Sequence, residues 1–324
     1  MPARLEARIP DESRGQRLDQ ALAALFPDHS RSRLKAWIEA GRVLVDGRAP
    51  RPRDLVAGGE LVQVEPTEEA RVEVAPQPID LRFVHRDDAV FVIDKPVGLV
   101  VHPGAGNPDS TLQNALLHAD PGLAKLPRAG IVHRLDKDTS GLLVVARTPR
   151  AHAALTRALE AREVSREYEA VCIGVMTGGG TVDAPIDRHP VDRLRQAVRG
   201  DGREAITHYR VAERFRVHTH VRVKLETGRT HQIRVHLTHI GYPLVGDALY
   251  GKRLVLPKAA TPRLAEALRG FRRQALHAAR LAFEHPDTGE TLEFEAPLPP
   301  DFAELLDALR EDARLAAARE RDVR

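Results

Sequence analysis

The chain has 324 residues, 42% hydrophobic and 29% charged, with a net charge of only +3 and one cysteine, Cys172. That length suggests about two domains with ample core, and a single cysteine excludes an intrachain disulfide framework. Apolar runs such as 89–93 and 141–146 are strand-sized, below the roughly 18 residues of a membrane helix, and no basic segment leads into an apolar run at the N-terminus, so the expected location is the cytoplasm. The basic residues are seven Lys and 42 Arg. Guanidinium suits phosphate and bases, but a chain rich in Ala, Gly and Pro carries arginine for compositional reasons too, and composition alone favours that plainer reading.

Residues 1–66 read as a small basic unit. Leu18, Leu22 and Leu25 recur at helical spacing. Ser30 suits the N-cap of a second helix, with Leu34, Trp37 and Ile38 on one face and Gly41 as its stop. Val43 and Val45 then alternate, Asp46-Gly47 makes a turn, and residues 61–64 form a last strand. The pattern predicts two helices followed by a small sheet. From Arg31 to Arg53 the segment carries a net +5, more than the whole chain. Arg31 and Lys35 lie one turn apart on one helix face. A solvated face would explain them, but their concentration favours a surface that tracks phosphates.

Arg17-Leu18-Asp19-Gln20-Ala21-Leu22, Ser30-Arg31-Ser32-Arg33 and Gly41-Arg42-Val43-Leu44-Val45-Asp46-Gly47 together resemble an S4 RNA-binding domain. Asp46 stands where that family usually has Asn, a mild change in a turn. The resemblance implies RNA contacts from Arg17, Arg31, Arg33 and Lys35.

Residues 67–79 read as a linker: Pro66, Pro76 and Pro78 flank the acidic pair Glu68 and Glu69. Residues 80–324 form the larger unit. Its expected strands are 83–85, 89–93, 142–146, 167–173, 205–211, 218–225, 276–283 and 291–295, and its expected helices 111–118, 149–161 and 229–240. An exposed helix follows from Asp301. Strands outnumber helices without alternating with them, which predicts an α+β fold, a mixed and mainly antiparallel sheet with flanking helices.

Two polar clusters stand out. Gly130-Ile131-Val132-His133-Arg134-Leu135-Asp136-Lys137-Asp138-Thr139-Ser140-Gly141 precedes an apolar strand. It is either a well-bonded turn or a catalytic carboxylate held among cations. Thr227-Gly228-Arg229-Thr230-His231-Gln232-Ile233-Arg234-Val235-His236 follows later. If a helix starts near Arg229, then Arg229, Gln232 and His236 share a face, beside a stripe of Ile233, Leu237 and Ile240. An arginine at a helix start opposes the dipole, which suggests a partner anion such as Asp136. His231, His236 and His239 lack the spacing of a zinc site.

These clusters, with Asp94-Lys95-Pro96-Val97-Gly98-Leu99-Val100-Val101-His102-Pro103-Gly104, Leu244-Val245-Gly246-Asp247, Tyr250-Gly251 and Arg273-Gln274-Ala275-Leu276-His277-Ala278, resemble the large-subunit rRNA pseudouridine synthase family over about residues 15–305. Asp94 departs from the usual Asn, and Arg166 from a common Lys. The resemblance implies an isomerase that needs no cofactor or metal. Asp136 is then the essential carboxylate, Arg229 its cationic partner and Tyr168 the active-site tyrosine that stacks on the flipped uracil. Arg134 fills the gap left by that base, while His133, Lys137 and Thr139 position the loop or contact phosphate. Lys95 faces either RNA or a structural acid. The implied substrate is 23S-type ribosomal RNA or the large ribosomal subunit, at the helix 69 stem-loop, and the implied state is a monomer.

Two other readings compete. A non-catalytic RNA-binding assembly factor would not need the set Asp136, Tyr168 and Arg229. A glycosidase would need two carboxylates flanking the bond, for which Asp136 and Asp138 are the near pair in sequence, and it would release free uracil.

Overall fold

The computed structural model describes residues 4–27, 29, 31–66, 74–104, 106–251 and 254–322. The chain divides into two units, Met1–Glu73 and Val74–Arg324. Ser30, Glu68 and Glu69 lie outside the described residues.

The first unit contains β1 (Leu5–Arg8), α1 (Leu18–Leu25), α2 (Arg31–Glu39), β2 (Val43–Val45) and β3 (Leu61–Val64). The strands form an antiparallel sheet in the order β1-β3-β2. The helical spacing of Leu18, Leu22, Leu34, Trp37 and Ile38 puts all five in one core against Val43, Val62 and Val64. Asp46 and Gly47 both take left-handed φ, 47° and 74°, and Val45 and Arg48 exchange backbone hydrogen bonds, the two-residue hairpin that Asp-Gly favours. Strand β1 is absent from the expected elements although Leu5, Glu6, Ala7 and Arg8 alternate in character and in burial.

The second unit contains β4 (Arg82–Arg86), β5 (Val90–Lys95), α3 (Leu112–Ala119), β6 (Ser140–Ala146), α4 (Pro149–Glu160), β7 (Ser165–Ile173), β8 (Gly180–Asp183), β9 (Ile186–Arg188), β10 (Gln196–Val198), β11 (Ile206–Arg214), β12 (His218–Leu225), α5 (Gln232–His239), α6 (Pro262–Gly270), β13 (Leu276–Glu284), β14 (Thr291–Glu295) and α7 (Pro300–Asp322). Among the described residues nine strands share one sheet, in the order β4-β5-β6-β13-β7-β12-β11-β8, with β14 also on β13; β9 and β10 form a separate ribbon. Every pairing in the large sheet is antiparallel except β6 with β13. The architecture is the expected α+β one. No described helix is long and apolar enough to cross a membrane.

Three departures have local causes. Residues 74–79, expected in the linker, belong to the second unit: Asn114 Nδ2 donates to the Ala75 carbonyl at 2.9 Å and Gln77 N to the Asn114 carbonyl at 3.0 Å. Helix α7 is not simply exposed, because Phe302, Leu305, Leu306 and Leu309 are buried against α6 and Phe271. Helix α6 is absent from the expected helices although its signals are present: Thr261 caps Leu264 N, Pro262 takes the first turn, and Leu264 and Leu268 are buried one turn apart.

Strand β6 is buried along its whole length, as a strand packed on both faces should be. Phe91, Ile93, Leu143 and Val145 face one core with α3 and α5. Val90, Val92, Leu142 and Val144 face another core with Leu155 of α4. The β6–β13 pairing needs glycine at its start. Gly141 has φ 109°, and a Cβ there would lie 2.2 Å from the Ala278 carbonyl oxygen. Gly141→Ala is therefore expected to destabilise the protein by about 3 kcal/mol, seen as a lower urea midpoint.

Candidate active site

The loop before β6 is held by its carbonyls. Thr139 N donates to the Asp136 carbonyl at 3.1 Å, and Gly98 N to that of Lys137 at 2.9 Å. Lys95 Nζ, fully buried, donates to the carbonyls of Pro96, Leu99 and Lys137 at 2.8, 3.0 and 3.0 Å. Arg273 Nη1 reaches the Asp138 carbonyl at 3.4 Å, and its other nitrogens fork onto Asp301 at 2.7 and 2.8 Å. Gln274 Nε2 donates to Thr139 Oγ1 at 3.1 Å. On the far side, Val144 N donates to His133 Nε2 at 3.1 Å. Leu135 is buried, which leaves Arg134, Asp136 and Lys137 to face outward.

Asp136 Oδ2 accepts from Arg234 Nη1 at 2.9 Å. The same guanidinium forks onto Asp247 through Nε and Nη2, at 2.7 and 2.9 Å. Asp247, its side chain fully buried, also accepts from the amides of Leu249 and Tyr250 at 2.9 and 3.0 Å. Burial works against both charges here, but pairing wins. The Arg234 guanidinium and the two amides hold the Asp247 carboxyl below its usual range, and the two carboxylates hold Arg234 above its own.

Above this pair opens a cavity of about 580 Å³, within the range of about 300–1,000 Å³ typical of small-molecule sites. Asp136, Tyr168, Ile233 and Leu276 line it together with Arg128, Arg134, Arg166, Arg203 and Arg229. Tyr168 is buried in the core beneath, and burial raises its phenol pKa against the opposing pull of Arg166. An aromatic face, a paired carboxylate and a wall of guanidinium groups suit one extruded nucleotide of a polyanion.

The family model described as RNA pseudouridylate synthase matches residues 89–239, and the S4 domain model matches residues 16–62. Ribosomal large subunit pseudouridine synthase D of Xanthomonas campestris pv. campestris is 59% identical over 96% of this chain and 94% of its own. The protein of that name from Pseudomonas aeruginosa is 58% identical over 94% and 96%. The chain belongs to the RNA pseudouridylate synthase family. Among solved structures, human RNA pseudouridylate synthase domain containing 4 superposes with a TM-score of 0.55 at 27% identity, covering 71% of this chain and 93% of that one.

In this pseudouridine synthase the partner of Asp136 is not the expected one. Helix α5 begins at Gln232 rather than Arg229, so Arg229 sits in the preceding turn. Its Nε donates to the Glu204 carbonyl at 2.9 Å and its own amide to Gln232 Oε1 at 2.9 Å. Arg234, on the first turn of α5, takes the ion pair. Its only sequence signal is a charge set between Ile233 and Val235, beside the apolar stripe.

His133 is a half-buried residue of the cavity lining whose Nε2 is taken up by Val144 N, and burial lowers its pKa to about 3. Lys95 faces neither RNA nor a single acid but three carbonyls. The departure Asp94 accepts from Arg82 Nη1 on β4 at 3.1 Å. His231 and His236 bond to separate partners, Tyr250 and Thr207.

In the S4 domain, buried Asp19 accepts both Arg17 and Arg31 at 2.7–3.0 Å. Lys35 lies 3.5 Å from Glu39, and Arg33 sits over the Trp37 ring at 5.6 Å. All of these side chains lie at least partly on the surface apart from Asp19 and Trp37.

Burial lowers the Lys95 pKa to about 7 while Asp138 and Asp136 pull it up. A lysine in the unfolded chain titrates near about 10.4. The unfolded chain thus holds more protons between these values, and the Lys95 contribution to stability is full above the upper one and lost as pH falls to about 7. Lys95→Met is expected to flatten that rise in thermal stability between pH 7 and 10. It should also cut turnover at pH 7 by about tenfold or more, because the Lys137 carbonyl loses a donor.

Proposed function

We propose that this enzyme isomerises uridine to pseudouridine in large-subunit ribosomal RNA, at the helix 69 stem-loop, in the cytoplasm, as a monomer and without a cofactor. The observation that carries the reading is the Asp136–Arg234 pair at the base of an arginine-walled cavity. The names of the two relatives from Xanthomonas campestris and Pseudomonas aeruginosa supply the ribosomal substrate.

The reaction breaks the ribose C1′ to uracil N1 bond and joins C1′ to C5. The C5 hydrogen leaves as a proton and N1 gains one, so nothing is oxidised and no water is consumed overall. Asp136 acts at the ribose or the base. Arg234 fixes one carboxylate oxygen and leaves Oδ1 facing the cavity. Tyr168 stacks on the extruded uracil, an interaction worth about 1–3 kcal/mol in single-strand binders. Arg134, exposed at the rim, occupies the gap in the RNA stack. Arg229 and Arg203 hold the flanking backbone, and Lys137 meets phosphate. The S4 domain adds affinity through Arg17, Arg31, Arg33 and Lys35.

Tritium release from rRNA carrying 5-tritiated uridine tests this, since joining C1′ to C5 expels the C5 hydrogen. Wild type should release tritium without freeing uracil, and Asp136→Ala should release none. Arg234→Ala should lower the rate by about 10³-fold or more. Arg229→Ala should chiefly weaken RNA binding, by about tenfold. Free uracil as product would instead identify a glycosidase, and tight binding without release an assembly factor.

The S4 contribution is separable. Arg33→Ala with Lys35→Ala should flatten the dependence of log affinity on log salt by about 0.7 for each phosphate that is no longer neutralised. The single-turnover rate at saturating enzyme should be unchanged.

A further inference from the structure

His231 lines the cavity and faces Asp136, yet the proposed mechanism leaves it without a role. It precedes α5 with φ 58° and ψ 19°. Residues at that place normally have extended backbone and cap the helix with a short polar side chain; His231 does neither. A left-handed histidine beside a reacting group is a strained arrangement that the surrounding structure imposes.

Its ring joins two elements. Nδ1 lies 2.9 Å from the Tyr250 hydroxyl, and Nε2 lies 3.9 Å from Asp136 Oδ1. The Tyr250 hydroxyl oxygen also accepts from Gln196 N on β10, at 2.7 Å. Placing the hydroxyl proton on the His231 side satisfies all three groups: the amide donates to the phenol, the phenol donates to Nδ1, and Nε2 keeps its hydrogen. Burial lowers the His231 pKa, with Arg234 and Arg134 adding to that effect and Asp136 and Asp247 opposing it, which favours the neutral ring this scheme requires. Arg234 lies over the Tyr250 ring at 5.0 Å, so the phenol packs against the guanidinium that holds Asp136.

We propose that His231 is a positioning residue of the reaction: Tyr250 and the Gln196 amide lock it as the Nε2–H tautomer, and that N–H holds Asp136 Oδ1 while Arg234 holds Oδ2. The 3.9 Å gap closes to a hydrogen bond when substrate enters, as catalytic contacts in empty sites commonly do. The two donors then fix the carboxylate in rotation as well as in place. His231 forms and breaks no covalent bond. The proposal rests on Asp136 being the essential carboxylate.

The test measures single-turnover tritium release and RNA affinity with a 5-tritiated large-subunit rRNA transcript. It uses full-length wild type, His231→Phe, His231→Gln, Tyr250→Phe, and Tyr250→Phe combined with His231→Gln. His231→Phe should slow release by about 10–100-fold with affinity within about twofold of wild type. His231→Gln, whose amide reaches the Nε2 position but not Nδ1, should restore most of the rate. Tyr250→Phe should slow the wild-type background by about threefold to tenfold. It should cost nothing further beside His231→Gln, where there is no tautomer to lock.

A purely structural Tyr250 would give equal losses in both backgrounds, and that result overturns the proposal. So does His231→Gln as slow as His231→Phe, or His231→Phe as fast as wild type. If His231→Phe fails to fold, the paired Tyr250→Phe comparison decides alone. Asp136→Ala run alongside separates the two levels. Tritium release by that variant removes the site reading itself, whereas an inert Asp136→Ala with a fully active His231→Phe removes only the role of His231.

Discussion

Arg234 is a permanent cation almost removed from solvent, shared between a carboxylate of the core, Asp247, and a carboxylate of the cavity, Asp136. A buried charge is tolerable only when it is paired and hydrogen-bonded on most sides. Asp247 and the flat face of Tyr250 meet those needs from within the fold, which leaves one nitrogen of the guanidinium for Asp136. The cavity carboxylate therefore inherits its place from the core. Helix α5 supplies Arg234, the turn after it supplies Asp247, and the loop before β6 brings Asp136 to them. Any sequence able to keep that cation buried must hold these three segments together.

The same logic explains why a loop so rich in charge can sit beside the most buried strand of the sheet. Its side chains turn outward while its carbonyls point inward, and each of three successive carbonyls finds a donor in Thr139, Lys95 with Gly98, or Arg273. A buried lysine bonded to three neutral carbonyls is unusual, since desolvation opposes its charge. It is retained because one group closes β5, the turn after it and the Asp136 loop around one point. Beyond the loop the parallel approach of β6 and β13 leaves no room for a side chain at Gly141, so the loop enters the sheet at one register only.

Arginine content is a poor guide to RNA contact in this protein. Many guanidinium groups face carboxylates of the protein itself: Arg17 and Arg31 share Asp19, Arg273 forks onto Asp301, Arg310 meets Glu213, and even at the cavity Arg162 bridges Glu204 and Glu226. The Arg310–Glu213 pair orders side chains more than it stabilises, because exposed ion pairs contribute little. What distinguishes the arginines of the cavity wall is that they converge on one concave surface around a carboxylate, and only the fold brings them there.

Local pattern carried much of the architecture. Alternation and helical spacing predicted eight strands of the large sheet and helices α3 and α4 near their observed limits, and Asp46-Gly47 predicted its hairpin turn. The motifs around Asp136 and Tyr168 were legible because residue type and order are enough to show a resemblance. Pairings between segments distant in the chain were not legible. The partner of Asp136 lies 98 residues away, and whether Arg229 or Arg234 reaches it depends on where α5 starts, which a left-handed turn at His231 decides. The bond of His133 to β6, the three-carbonyl role of Lys95 and the half-buried face of α7 depend likewise on what packs against them. The sequence by itself determined most of the elements, the chemistry available and the family, because these follow from local spacing and residue type. Only the tertiary structure decided which cation meets the carboxylate and which side chains are left to face the cavity, because burial and desolvation are properties of the packed chain and not of any segment of it.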